Sequence, residues 1–147
     1  MIISYLGLGS NLGDGRANLD RSLQLIARHV GEIVAVSGYI ESEPWGFESK
    51  HRFTNAVCAV RTELSPLQLL DVTQDIERQM GRTHKHGKGE SYTDRIIDID
   101  ILLYGDEHID LPRLTVPHPL IAERDFVSGP LAECQAKVEN WEWKIEN

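Results

Sequence analysis

At 147 residues and 16.6 kDa the chain has the usual size of one domain, so a single domain over residues 1–147 is expected, with no fused second catalytic domain. A content of 41% hydrophobic and 26% charged residues excludes a disordered chain and supports a core that needs no metal or disulfide staple. Fifteen Lys+Arg against 23 Asp+Glu give a net charge of −8, a field that repels nucleic-acid phosphates and excludes a general DNA or RNA binder.

Residues 2–9, IISYLGLG, read as a buried strand, short and apolar and closed by glycine. Asn11-Leu-Gly-Asp14 is turn chemistry. From Gly15 to Val30, the residues Leu19, Leu23, Ile26 and Val30 recur at steps of four, three and four, the stripe of an amphipathic helix that Gly31 ends. Residues 32–41 and 53–62 are both rich in β-formers and flank a loop carrying Pro44 and Gly46, which predicts a hairpin with a long loop. Ser65-Pro66 is an N-cap followed by proline at the first helical position. The run from there to Gly81 predicts a helix whose apolar side carries Leu67, Leu70, Ile76 and Met80. Residues 96–104, IIDIDILLY, form the clearest strand, and weaker periodicity from Leu120 onward predicts one or two helices near Ala122 and Pro130. The order β-α-β-β-α-β predicts an α+β, ferredoxin-like antiparallel sheet with helices packed on one face.

Cys58 and Cys134 are the only cysteines, and neither stands in a Cys-x-x-Cys or Cys/His cluster, so no zinc site or disulfide framework is expected. No apolar run reaches the ~20 residues of a membrane span. The opening MIISYLGLGSNLG lacks a basic n-region. A cytoplasmic chain with no membrane partner is the expectation.

In IIDIDILLY, alternation turns Ile97, Ile99, Ile101 and Leu103 one way and Asp98 and Asp100 the other, together with Ile96, Leu102 and Tyr104. At the usual strand rise the two carboxylates stand about 6.6 Å apart. Their repulsion in an apolar strand is relieved by a cation, and a hard divalent ion such as Mg²⁺ takes oxygen ligands while keeping waters and substrate phosphates. The competing reading is a solvated sheet face; the apolar company of the aspartates argues for a partly covered one.

Between Arg78 and Arg95 five Lys/Arg residues face only Glu90 and Asp94, with His84 and His86 besides. A basic loop with Gly87 and Gly89, next to a carboxylate pair, is what a magnesium-bound polyphosphate calls for; a merely solvated basic loop is the alternative. The segment GRTHKHGKGES is not a phosphate-binding P-loop. Five residues separate Gly81 from Gly87 where that motif has four, Gly89 follows Lys88, and a helix precedes it. The early GLGSNLG has the wrong glycine spacing for a dinucleotide fingerprint.

GSNLG, FTNAV, QDIERQMGR, RIIDIDILLYG and TVPHPLIAERDFV, in this order, resemble the 6-hydroxymethyl-7,8-dihydropterin pyrophosphokinase family nearly end to end. The resemblance implies transfer of pyrophosphate from ATP to the pterin alcohol, giving AMP, in folate biosynthesis, by a monomer with two Mg²⁺ ions. It puts the metal ligands on Asp98 and Asp100 and the pterin site on Ser42, Trp45, Phe53, Asn55 and Phe126. Nucleotide contacts fall on Gln74, Glu77, Tyr92, Arg95, Ile101, Thr115, His118 and Arg124, with Arg82, His84 and Lys85 beside the phosphates and Arg82 and Arg95 in catalytic roles. The chemistry of these residue types agrees. A flat ring takes two aromatic faces, and an Asn reads its amide edge by donating and accepting at once. Phe53 and Asn55 share a strand face, and Gln74 and Glu77 share a helix face. Ordinary core phenylalanines and a turn histidine at VPHP are the competing readings. The family usually carries arginine at His84, tryptophan at Tyr92 and Gly/Ala-Pro at Thr93-Asp94; these departures touch the triphosphate side. The rival function is a non-catalytic ferredoxin-like module that binds a nucleotide or metal as a regulatory ligand.

Overall fold

A computed structural model describes residues 1–42, 53–81 and 96–146. Strand β1 (Ile2–Ser10) leads into helix α1 (Gly15–His29), whose N-cap Asp14 accepts from the Ala17 N–H at 3.1 Å. Next come strands β2 (Gly31–Val36), β3 (Ile40–Ser42) and β4 (Phe53–Thr62), then α2 (Pro66–Gln79). Ser65 and Gln68 close a capping box at the start of α2, and Gly81, at φ 107°, takes the chain away from its end. Strand β5 (Asp98–Tyr104), the small hairpin β6 (Ile109–Leu111) and β7 (Leu114–Val116), a 3₁₀ turn (Pro119–Ala122) and α3 (Asp125–Glu146) complete the described chain.

The main sheet is antiparallel, in the order β2-β4-β1-β5, with β3 continuing beside β4. This is the ferredoxin-like order. One expectation is corrected: the helices do not share a face. Leu19, Ile26, Leu69 and Ile76 of α1 and α2 pack with Leu6, Cys58 and Ile101 on one side of the sheet. Leu131, Cys134 and Val138 of α3 pack with Val57, Ala59 and Leu102 on the other. The cause lies in β4, where every residue from Thr54 to Val60 is buried; a strand apolar on both faces needs cover on both. In α2 the buried positions are Leu69, Thr73, Ile76 and Glu77, whereas Leu67, expected in the core, is exposed.

The strand expected over 32–41 is two. Val36 pairs with Cys58 and Ile40 with Asn55, so Ser37, Gly38 and Tyr39 stand opposite only Ala56 and Val57, a one-residue bulge. A second irregularity corrects the facing of the last strand. Leu6 pairs with Ile101 but Tyr5 with Leu103, leaving Leu102 over. Leu102 and Leu103 therefore both pack toward α3, while Tyr104 joins Ile99 and Ile101 in the opposite layer. Ile96, outside the strand, also packs in that opposite layer and not beside the aspartates.

Candidate active site

The register across the sheet builds the site. Asn55 pairs with Gly9 and Gly9 with Asp98; one step along, Val57 pairs with Gly7 and Gly7 with Asp100. Directly paired residues share a face, so two rows cross the α3 side of the sheet. Each begins on β4, passes a glycine on β1 and ends on a carboxylate of β5. The glycines leave the floor between them without side chains. A Cβ on Gly9 would stand 3.1 Å from Asn55 Oδ1 and 3.6 Å from Phe53 Cδ1, and one on Gly7 would meet Leu102 at 3.4 Å. The trough is bare because its walls lean into it.

The walls are the predicted residues. Phe53 and Asn55 border this cleft on the β4 side, Asp98 and Asp100 on the β5 side, and Phe126 with Arg124 at the start of α3. Asn55 is buried, whereas Phe53 and Phe126 are partly exposed. Arg124, assigned by resemblance to the nucleotide, lies in this cleft with its guanidinium 5.5 Å from the centre of the Phe126 ring. Ser42 stands opposite Phe53 in β3.

A second groove runs along the outer edge of β5 and holds Ile101, Thr115 and His118. The Ile101 side chain is in the core, so its backbone is the part that borders the groove. His118 caps the 3₁₀ turn: its Nδ1 accepts from the Leu120 N–H at 3.1 Å, so the ring proton sits on Nε2, 4.0 Å from Asp100 Oδ1. Burial pulls the His118 pKa down, opposed by the charge of Asp98 and reinforced by Arg124. Gln74 is partly buried on α2; Glu77 is buried, and its Oε2 accepts from the Ile99 N–H at 2.8 Å. Asp100 borders both the cleft and the groove.

The donor set suits a hard cation. Asp98 and Asp100 offer only oxygens on one face, and the Asp100 side chain is 38% exposed, open to water and to a ligand's oxygens. Among the described residues no cluster of three or more His, Cys, Asp or Glu side chains could hold a metal ion. Trp45, Arg82, His84, Lys85, Tyr92 and Arg95 lie outside the described residues. The sequence reading missed Gly7, Gly9, Leu120 and Val127 of the cleft and Leu70 and Arg113 of the groove. The alternation of LGLGS was the available signal for the glycines. No described helix is long and apolar enough to cross a membrane.

Fold and site together define a ferredoxin-like α+β domain with an aromatic cleft and a carboxylate pair. The sequence profile of the 7,8-dihydro-6-hydroxymethylpterin-pyrophosphokinase (HPPK) family matches residues 5–136. A Porphyromonas gingivalis protein named 2-amino-4-hydroxy-6-hydroxymethyldihydropteridine pyrophosphokinase is 49% identical over 134 residues, 90% of either chain. One of the same name from Bacillus subtilis is 41% identical over 138 residues, 93% of this chain and 80% of its own. Among solved structures, wild-type Plasmodium falciparum HPPK-DHPS with pterin and p-hydroxybenzoate matches the fold over 86% of this chain at TM-score 0.64 and 20% identity. This chain spans 38% of that longer one. The chain belongs to the HPPK family. It is a pyrophosphokinase of folate biosynthesis, with ATP as co-substrate and a small pterin as acceptor.

Proposed function

We propose that the pterin lies in the glycine-floored cleft, the nucleotide in the groove along β5, and that transfer occurs where Asp100 borders both. That shared border is the observation that carries the reading. Phe53 and Phe126 take the two faces of the pterin ring and Asn55 reads its amide edge, with Ser42 and Trp45 as further pterin contacts. Ile101, Thr115, His118, Gln74, Glu77 and Tyr92 contact the nucleotide. Arg82, His84, Lys85, Arg95 and Arg124 supply positive charge to the phosphates.

Asp98 and Asp100 hold Mg²⁺, two ions being expected; when bound, the metal neutralises charge on the transferred pyrophosphoryl group. The pterin hydroxymethyl oxygen attacks the β-phosphorus of ATP in line, the bond to the α-phosphate oxygen breaks, AMP leaves with that oxygen, and the hydroxyl proton is released to water. Positioning and electrostatics carry the rate, with no side chain assigned as a general base. A monomer of one domain, in the cytoplasm, completes the reading. The test is to incubate protein, ATP, Mg²⁺ and reduced hydroxymethylpterin and measure AMP and pterin diphosphate. Equimolar products that depend on the pterin are expected; ATP binding without AMP would favour a regulatory module.

A further inference from the structure

The bulge between β2 and β3 is gripped from both sides of the sheet. On the α3 side, both carboxylate oxygens of Glu133 accept from the Gly38 N–H, at 3.0 and 3.2 Å, and Lys137 Nζ donates to the Val36 carbonyl at 2.7 Å. These are the backbone donor and acceptor that the bulge turns out of the ladder. One i,i+4 pair, itself closed at 3.0 Å, satisfies both. On the α1 side the Tyr39 hydroxyl donates to Asp20 Oδ1 at 2.6 Å, under the Arg16 guanidinium. Within the ladder, Ser37 N donates to the Val57 carbonyl at 2.8 Å and Ser37 Oγ accepts from the Val57 N–H at 2.9 Å, so the hydroxyl stands in for a carbonyl.

The grip sets the course of β3. Past the bulge, Ile40 pairs with Asn55 and Ser42 with Phe53, two of the β4 residues that line the cleft. The facing of β3 is set by the extra residue and by whatever holds it. Gly38 has no need of glycine's conformational freedom, and a Cβ there would meet Glu133 only at 3.8 Å; the N–H, not the missing side chain, is what the site uses.

We infer that Glu133 and Lys137, which do not line the cleft, are positioning residues for the pterin pocket, acting through the bulge on β3. The inference rests on the placement of the pterin beside Phe53 and Asn55, so an Asn55→Ala arm is included.

Glu133→Ala, Glu133→Gln and Lys137→Met are compared with wild type by amide hydrogen exchange over residues 37–42 in the free protein. The Michaelis constants for pterin and for MgATP, and kcat, are measured on the same proteins. For Glu133→Ala, faster exchange in β3 is expected with an about three- to tenfold rise in the pterin constant, the range one hydrogen bond of this kind supports. The MgATP constant and kcat should stay within twofold. Glu133→Gln keeps an acceptor for Gly38 and should recover most of the loss, while Lys137→Met should show the same split with smaller size. Unchanged exchange, an unchanged pterin constant, or a fall in kcat with both constants moving alike each overturns the inference. If Asn55→Ala raises the pterin constant and Glu133→Ala does not, the pocket stands and the inference falls; if neither does, both fall.

Discussion

Glu77 Oε2 accepts a hydrogen bond from the Ile99 N–H at 2.8 Å, in the buried layer between α2 and β5. Among the described residues β5 is an edge strand whose outward N–H groups have no strand partner, and a helix carboxylate does that work here. Ile99 lies between the two aspartates, so the contact also ties α2 to the carboxylate pair. Glu77→Ala should lower stability by about 1–3 kcal/mol, the cost of a buried N–H left unpaired, and Glu77→Gln by less. Urea unfolding measures both; an alanine variant as stable as wild type would show that the bond holds nothing.

Asp98→Asn and Asp100→Asn should each lower turnover by about a hundredfold or more, with the fold retained because the side chains are partly exposed and no cavity opens. AMP formation at saturating Mg²⁺ and a thermal melt decide it. Near-normal turnover in either variant removes that aspartate from the metal site.

Asn55→Ala and Phe126→Ala should damage pterin binding far more than ATP binding. The lost amide partner costs about 1–3 kcal/mol and a lost ring face about 0.5–1.5 kcal/mol. Calorimetric titration of each ligand checks this, and equal losses for both ligands would take these residues out of the pterin pocket.

Gly9→Ala puts a methyl group 3.1 Å from Asn55 Oδ1, where the amide must shift by a few tenths of an ångström. Pterin affinity should fall several-fold, about 1 kcal/mol, while the melting temperature changes little because the methyl points into the cleft. Unaltered pterin affinity would mean that the floor of the trough need not be bare.

The Glu133 carboxyl titrates below the ordinary value of 4.5, chiefly because Lys137, and then the Gly38 N–H, hydrogen-bond its ionised form. Between the two values the unfolded chain binds more protons, so this contribution is complete above the unfolded value and is lost as pH falls through the lower folded one. The melting-temperature gap between wild type and Glu133→Gln should therefore be flat near neutrality and close on acidification through that lower value. The side chain is half exposed, so the gap is small. A gap that does not change down to about pH 3 contradicts the linkage.

Much of the fold was legible because its signals are local. Ser65-Pro66 and Gly81 bound α2 in the sequence as they do in space, and period two put Phe53 with Asn55 and Asp98 with Asp100. What could not be read depends on distant partners. The bulge at Ser37–Tyr39 is held by Glu133 and Lys137, 95 and more residues away, and within 32–41 its one mark is the Ser37-Gly38 pair inside a strand pattern. The side chosen by α3 is dictated by the two-faced burial of β4, while its own periodicity is weak. That Gly7 and Gly9 form the floor requires knowing which residues of β4 and β5 flank them. The basic segment 82–95, where the departures from the family pattern cluster, lies outside the described residues.

The extra residue at Leu102 divides β5 into two halves that answer to different neighbours. Upstream, Asp98 to Ile101 take their orientation from Leu6 to Gly9 of β1; downstream, Leu103 faces the α3 layer while Tyr104 turns back to give its hydroxyl to the Leu64 carbonyl at 2.5 Å. The strand can thus be retuned at its far end, as the packing of α3 drifts, without rotating the carboxylates. Loss of one residue there would instead swap the facing of everything beyond it, withdrawing the tyrosine from its anchor. Substitution and deletion in this strand are therefore unequal events: the first is absorbed locally, the second rewrites which layer each side chain serves.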